Sequence, residues 1–325
     1  MTDAPLLTLT KAGLYCPDGD FHIDPSRAVG RALVTHGHSD HASRGHGAYL
    51  TSATALPVIR HRLGRIEAEG LGFGEPRQIG GVTVSFHPAG HVPGSAQIRV
   101  ERSGEVWVVS GDYKVEPDGL CEAFEPVQCH TFISECTFGL PIFHWQPQPV
   151  VMAEIAEWWR GNAAEGKVSI LAAYSFGKAQ RLMAGLAGHS LAGGGSILTH
   201  PAVEAVTKVL RDQGFALPDT VEVTDAVTPH THPGALIIAP PNTLTSGWAA
   251  RFAPFETAFA SGWMALAARR KGLGRGFVLS DHADWPGLLQ AVRATGATRV
   301  LATHGYTAAF ARHLTDLGLQ GEVLA

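Results

Sequence analysis

The stretch Thr35-His36-Gly37-His38-Ser39-Asp40-His41 gathers three imidazoles and a carboxylate directly after the apolar run Ala32–Thr35. Imidazole nitrogen and carboxylate oxygen suit zinc, manganese and iron alike, and no thiolate is present to narrow the choice. A turn at a strand end can aim His36 and His38 at one ion, and Asp40 and His41 at another. The ordinary alternative is a polar surface turn with chance histidines. The spacing H-x-H-x-D-H is far more specific than a pair of histidines, and it favours the metal site.

Working outward, the chain of 325 residues exceeds one typical core and implies two domains, or one large domain carrying an insertion. Hydrophobic residues make up 45% and charged residues 17%, which marks a globular protein. No run of about 18 apolar residues occurs, so no transmembrane helix and no membrane association are expected. Met1-Thr-Asp-Ala-Pro-Leu-Leu7 lacks the basic and apolar regions of a secretory signal, so a cytoplasmic location is expected. Cys16, Cys121, Cys129 and Cys136 make no C-x-x-C pair and read as reduced thiols, not as disulfides or a cysteine zinc site. The net charge of −4 requires that any nucleic-acid contact use locally concentrated cations.

The first half reads as short strands between Gly, Pro and Asp turns: Leu6–Thr10, Phe21–Ile23, Ala32–Thr35, Val82–His87, Gln97–Glu101, Val106–Ser110 and Thr131–Ser134. A helix is expected over Ala53–Leu63. This pattern favours stacked sheets over βαβ alternation. Pro141-Ile-Phe-His-Trp-Gln-Pro-Gln-Pro149 reads as a linker. Beyond it, helices at Met152–Asn162, Phe176–Leu186 and Val203–Gln213 alternate with strands at Val168–Ala173, Ser196–Thr199, Leu236–Ala239 and Thr257–Ala260. From Gly276 the pattern is strand, helix, strand, helix: Phe277–Leu279, Pro286–Ala294, Arg299–Ala302 and Ala308–Leu317. The expected organisation is a first domain of residues 1–145 and 272–325, interrupted by an α/β domain of residues 146–271.

The run at 36–41 resembles the H-x-H-x-D-H motif of the metallo-β-lactamase superfamily. That likeness implies an α/β fold, an αβ/βα sandwich with metals at one sheet edge. Asp24, ending Phe21-His-Ile-Asp24, is similar to the family's supporting acid. His91, in Ala89-Gly-His-Val-Pro-Gly-Ser95, resembles a third imidazole ligand of the first metal. Asp112, in Ser110-Gly-Asp-Tyr113, resembles the carboxylate that bridges two metals. Singly, each has a bland reading: a turn residue before Pro25, a polar loop histidine, an ordinary Gly-Asp turn. Together they follow the family's order. The resemblance implies His36, His38, His91 and Asp112 around one divalent ion, and Asp40, His41, Asp112 and His304 around another.

Fold does not choose among the superfamily's lactamases, thioesterases, glyoxalases and nucleases. Glu135 in Ile133-Ser-Glu-Cys-Thr-Phe138, His282 in Leu279-Ser-Asp-His-Ala-Asp284 and His304 in Ala302-Thr-His-Gly305 resemble the acid and two histidines of the β-CASP nuclease branch. The α/β insertion between Glu135 and His282 matches that branch's cap domain. Long stretches, among them Tyr174-Ser-Phe-Gly-Lys-Ala-Gln-Arg181 and Phe277-Val-Leu-Ser-Asp-His-Ala-Asp-Trp-Pro286, are similar to the bacterial ligase-associated DNA exonuclease group. The resemblance therefore implies a DNA exonuclease acting in repair, with DNA as substrate and a functional association with a DNA ligase. His304 departs from the valine of the eukaryotic crosslink-repair members and is usual in RNA-processing ones, which keeps an RNA substrate open. A small-molecule thioester or lactam hydrolase and a non-catalytic DNA-binding module are the remaining readings.

In this reading His282 is the general acid for the leaving oxygen, and Glu135 orients it. Asp284 reads as the N-cap of the following helix. The candidate phosphate contacts are Arg269, Arg270, Lys271 and Arg275, then Lys178 and Arg181, with Arg60, Arg62 and Arg65 as a third group; a solvated basic face is the plain alternative. Trp145, Trp248 and Trp263 are candidates for stacking on bases, with core packing the ordinary fate of a tryptophan.

Overall fold

The structure, a computed structural model, describes residues 5–189, 195–267 and 275–324. Its contacts divide the chain into two units: Met1–Pro117 with Cys121–His144 and His282–Ala325, and Asp118–Leu120 with Trp145–Asp281.

The first unit opens with a six-stranded sheet in chain order: β1 (Thr8–Thr10), β2 (Gly13–Cys16), β3 (Phe21–Ile23), β4 (Arg31–Val34), β5 (Ala48–Ser52) and β6 (Ala68–Leu71). The pairs β1/β2 and β2/β3 are antiparallel, and β3 through β6 run parallel. Helix α1 (Leu56–Leu63) makes the β5–β6 crossover. Next come β7 (Arg77–Ile79), β8 (Val82–Pro88), β9 (Ala96–Arg102) and β10 (Glu105–Val109), antiparallel neighbours, and then β11 (Thr131–Cys136), parallel to β10.

The second unit is an α/β body. Its strands β12 (Val168–Ala172), β13 (Ile197–Thr199), β14 (Val221–Glu222), β15 (Leu236–Ala239), β16 (Phe255–Ala260) and β17 (Arg275–Phe277) form a parallel sheet in the order β14-β13-β15-β12-β16-β17. Its helices are α2 (Gln148–Ala164), α3 (Lys178–Leu186), α4 (Pro201–Asp212) and α5 (Met264–Ala267). Adjacent strand residues divide between two cores, as a period of two requires: Leu171 and Ile238 pack with α2 and α3, while Ile170 and Ile237 pack with Ala249 and Phe252. Trp159 of α2 is buried at 1% exposure, and its indole N–H donates to the Gly234 carbonyl at 2.8 Å.

The chain then returns to the first unit. Helix α6 (Trp285–Thr295), β18 (Arg299–Gly305), α7 (Thr307–Asp316) and β19 (Gln320–Val323) complete the second sheet, ordered β19-β18-β11-β10-β9-β8-β7. Trp107 and Val109 of β10 join Phe21, Leu33, Phe86 and Ile98 in a core between the two sheets. Val106 and Val108 of the same strand face outward against Leu288, Phe310 and Leu314 of α6 and α7. On the other side, Ala32 and Val34 of β4 pack with Ile59 and Leu63 of α1. The layering of this unit is therefore helix, sheet, sheet, helices.

Several expectations shift against this frame. The contacts place the return to the first unit at His282, where 272 is expected from the sequence, and β17 pairs with β16 within the second unit. Pro149, assigned to the linker, lies in the first turn of α2, where a missing N–H costs nothing. Strands β2, β5, β6, β7, β14 and β19 carry weak local signals. β6, Ala-Glu-Gly-Leu, lacks a β-branched run and owes its form to pairing with β5; at Gly70 a Cβ would stand 2.7 Å from Ala53 Cα. No helix among the described residues is long and apolar enough to cross a membrane.

Replacing Trp159 with alanine empties a filled core position and orphans the Gly234 carbonyl. It is expected to cost roughly 3–5 kcal/mol, read as a lowered urea midpoint. A midpoint equal to wild type would deny Trp159 its part in the second core.

Candidate metal centre

Parallel pairing collects the polar residues at one edge. Strands β3 and β4 are parallel neighbours, so Asp24, just past β3, reaches Thr35, just past β4. In the other sheet β10, β11 and β18 run parallel, so Asp112, Glu135 and the Thr303–His304 pair come to corresponding ends. The β8–β9 turn supplies His91, and the Ala96 N–H donates to the Thr35 carbonyl at 2.9 Å, tying the sheets together at this edge. Gly111 takes φ +55°, and a Cβ there would stand 2.8 Å from Thr35 Cβ, so the turn before Asp112 needs glycine.

Asp24, itself at φ +44°, accepts from the Thr35 backbone N–H at 2.8 Å, the Thr35 hydroxyl at 2.6 Å and His41 Nδ1 at 2.8 Å. With Nδ1 donating to Asp24, His41 turns Nε2 toward Asp112 and the site. The Thr35 hydroxyl spends its proton on Asp24, so its oxygen accepts from His36 Nδ1 at 3.0 Å, and His36 also presents Nε2. One carboxylate and one hydroxyl thus orient two imidazoles.

Four donors converge. His38 Nδ1 lies 3.1 Å from His36 Nε2 and 3.1 Å from His91 Nε2, and Asp112 Oδ2 lies 3.6 Å from the first and 3.7 Å from the second. Ligands bound to zinc at ~2.0–2.1 Å in a tetrahedron stand roughly 3.3 Å apart, so this spacing fits a cation. Burial, followed by the neighbouring imidazoles, pushes His36 well below the usual histidine range, favouring the neutral ring a metal needs. Burial alone would push the Asp112 carboxyl up, but His41, His282 and His36 hold it well below the usual range. For His41 burial also opposes the charge; Asp112 and Asp24 outweigh it and hold the ring well above its usual range.

The residues expected around a second ion are less gathered. His41 Nε2 lies 3.4 Å from Asp112 Oδ2 and 3.7 Å from Asp40 Oδ2, with the Asp40 side chain 75% exposed. The His304 ring stands 5.9 Å from that of His41, on a backbone at φ +51°. A cavity of about 260 Å³ opens here, bordered by Asp24, Asp40, His41 and His304.

Beside these donors lies a carboxylate–imidazole pair. His282 Nδ1 is 2.9 Å from Glu135 Oε1. Buried Glu135 also accepts from the backbone N–H groups of Tyr113 at 3.3 Å and Thr137 at 2.8 Å, so its orientation is fixed. The turn after His282 is held by the Ala283 N–H donating to the Tyr113 carbonyl at 2.7 Å, and Asp284 caps α6 through the Gly287 N–H at 3.0 Å.

The cationic candidates fare differently. Lys178 and Arg181 are 4% and 3% exposed. Lys178 Nζ and Arg181 Nη1 each lie 3.0 Å from a carboxylate oxygen of Asp281, and Arg181 Nε donates to Gln148 at 2.6 Å. A desolvated cation must be paired, and Asp281 pairs both of these residues, which the sequence offers as phosphate contacts. Arg275 is exposed on β17, its guanidinium 5.1 Å from the Phe277 ring centroid. Arg269, Arg270 and Lys271 lie outside the described residues. Thr35, read from the sequence as a strand end, and Arg62, read as one of a third basic group, both help to hold the histidine turn. The Arg62 guanidinium donates to the Gly37 carbonyl inside the histidine turn, a contact 25 residues apart that no local pattern announces.

No family model matches the chain. Over 314 residues, 95% of its length, it is 33% identical to a protein of Opitutus terrae named "Probable DNA ligase". The chain spans 30% of that relative's length. Over 149 residues it is 29% identical to a protein of Thermus thermophilus named as a ribonuclease, covering 37% of this chain and 34% of that one. A crystal structure of a protein of unknown function from Enterococcus faecalis shares the fold at TM-score 0.56 and 10% identity, over 85% of this chain and 75% of that one.

Asp24→Ala removes the acceptor that orients His41 and, through Thr35, His36. Titration of the full chain with zinc or manganese should show affinity lowered about 10- to 100-fold. Unchanged affinity would remove Asp24 from the site.

Proposed function

We propose that this chain is a metal-dependent phosphodiesterase of the metallo-β-lactamase fold, β-CASP branch, acting as an exonuclease on DNA. The observation that carries the reading is the convergence of His36, His38, His91 and Asp112 beside the Glu135–His282 pair. The layering of the first unit and the α/β second unit, taken as the β-CASP-like insertion, agree with it. A ligase-named relative matching along 95% of the chain supports a nucleic-acid substrate and a functional link to ligation. RNA is the second reading, favoured by His304 and by the ribonuclease-named relative.

In this proposal His36, His38, His91 and Asp112 hold one divalent ion, and Asp40, His41, Asp112 and His304 hold a second. Zinc, manganese and iron all suit these donors. Bound there, the ions supply Lewis-acid activation of a water and neutralise charge on the phosphoryl oxygens. Asp24 keeps the His41 and His36 rings in the tautomer that points Nε2 at the site. Glu135 accepts from His282 Nδ1, which favours the protonated ring and leaves Nε2–H to donate to the departing sugar oxygen.

His282→Ala should keep its metal content and lose about 10²- to 10⁴-fold in turnover. Loss of metal in that variant would make His282 a ligand instead of an acid. The reading as a whole is tested with one strand labelled separately at each end, as DNA and as RNA, with Asp112→Asn as control. Stepwise shortening of DNA, absent in the variant, is expected, and the order of labelled fragments gives the polarity. Faster turnover of RNA would move the assignment to RNA processing. Cleavage of neither polymer, with hydrolysis of a thioester or lactam, would overturn the nuclease reading.

A further inference from the structure

Side chains on a strand alternate between its two faces. On β11, Phe132 and Cys136 lie on the side packed by α6 and α7, and Ile133 lies on the side between the sheets. On β18, Val300 and Ala302 take the helix side and Leu301 the inner side. Continued alternation would give Thr303 to the inner side and His304 to the helix side. His304 does not follow it. Thr303 and His304 border the same cavity, the Thr303 hydroxyl oxygen lies 3.2 Å from His304 Nδ1, and the His304 ring stands 5.9 Å from that of His41. Adjacent side chains of a regular strand point apart and do not meet in this way.

A β-bulge makes the difference. Glu135 pairs with Thr303 and Cys136 pairs with Gly305, so His304 is an extra residue in β18. It holds φ +51°, and Gly305 holds φ +87°. A bulge breaks the alternation and re-aims the side chain it carries. Gly305 permits it here, since a Cβ at that position would collide with the Cys136 carbonyl oxygen and with Thr137 Cα. The same Cys136 carbonyl accepts the Tyr306 N–H at 3.0 Å, which fixes the chain just past the bulge.

The extra residue of a bulge is left unpaired in the ladder. At this bulge the buried Cys136 side chain meets its carbonyl. Sγ lies 3.0 Å from the His304 carbonyl oxygen and 3.5 Å from that of Thr303, and the thiol donates to the nearer. We infer that Cys136 is a positioning residue: its thiol holds the His304 carbonyl, its carbonyl holds the Tyr306 N–H, and the bulge between them turns the His304 imidazole away from the helices toward the cavity bordered by Asp40 and His41. A thiol is a weak donor, so a hydroxyl in its place should serve as well and a methyl group should not. The inference rests on the role proposed above for His304 at a second ion, and it gives a part to a residue that reading leaves unused.

The test titrates the metal-stripped full chain with zinc, against a chelator of known affinity, for wild type, Cys136→Ala, Cys136→Ser and His304→Ala. Wild type is expected to take up two ions. Cys136→Ala should bind the first as wild type does and the second about 10- to 100-fold more weakly, the penalty usual when a group that orients a ligand is lost. Cys136→Ser should recover most of that loss, and His304→Ala marks the loss expected without the imidazole. Circular dichroism checks that the variants fold. If His304→Ala loses the second ion and Cys136→Ala does not, the positioning role is overturned and His304 stands as a ligand. Equal weakening of both ions in Cys136→Ala, or no recovery in Cys136→Ser, also overturns it. Two ions held by His304→Ala as tightly as by wild type, or a single ion in wild type, removes His304 from the metal site and the inference with it.

Discussion

His38 Nδ1 faces His36 Nε2 and His91 Nε2 at 3.1 Å each, and this crowding of ring nitrogens governs the first unit. One ring nitrogen either donates a proton or accepts one. With His36 Nε2 committed as a lone pair by its bond through Nδ1 to Thr35, His38 can satisfy one of its two neighbours well and must oppose the other. Buried polar contacts of that kind cost on the order of 1–3 kcal/mol each. Asp112 brings a carboxylate to the same point at a similar distance. A divalent cation held by these residues would resolve the conflict, since each lone pair could serve as a ligand.

The fold delivers this arrangement through parallel strand ends. Asp24 and the histidine turn sit past β3 and β4; Asp112, Glu135 and His304 sit past or at the ends of β10, β11 and β18. Strained backbone collects at the same edge. Asp24 and His304 hold positive φ, as do Gly111 and Gly305. The cost of such conformations is usually met where a site needs a side chain re-aimed.

Much of this was legible in the chain. The spacing of His36, His38, Asp40 and His41, and the order of Asp24, His91, Asp112, Glu135, His282 and His304, announce the polar edge, because each residue follows a strand-like run. What stayed hidden depends on distant partners. Lys178 and Arg181 look like phosphate contacts beside a helix start, and only Asp281, about a hundred residues on, makes them a buried ion cluster. The hydroxyl of Thr35 reads as an ordinary strand residue until Asp24 is brought beside it. β17 was displaced toward the more apolar Phe277–Leu279, whereas its pairing with β16 begins at Arg275.

Occupancy of the four-residue cluster by a cation is the point on which the site's chemistry turns. Crystals of the full chain grown with manganese or zinc, with anomalous diffraction at the metal's absorption edge, test it. The expected result is a peak within ~2.0–2.2 Å of His36 Nε2, His38 Nδ1, His91 Nε2 and an Asp112 oxygen. The same four residues bonded only to water, with no anomalous peak at saturating metal, would rule out the metal centre.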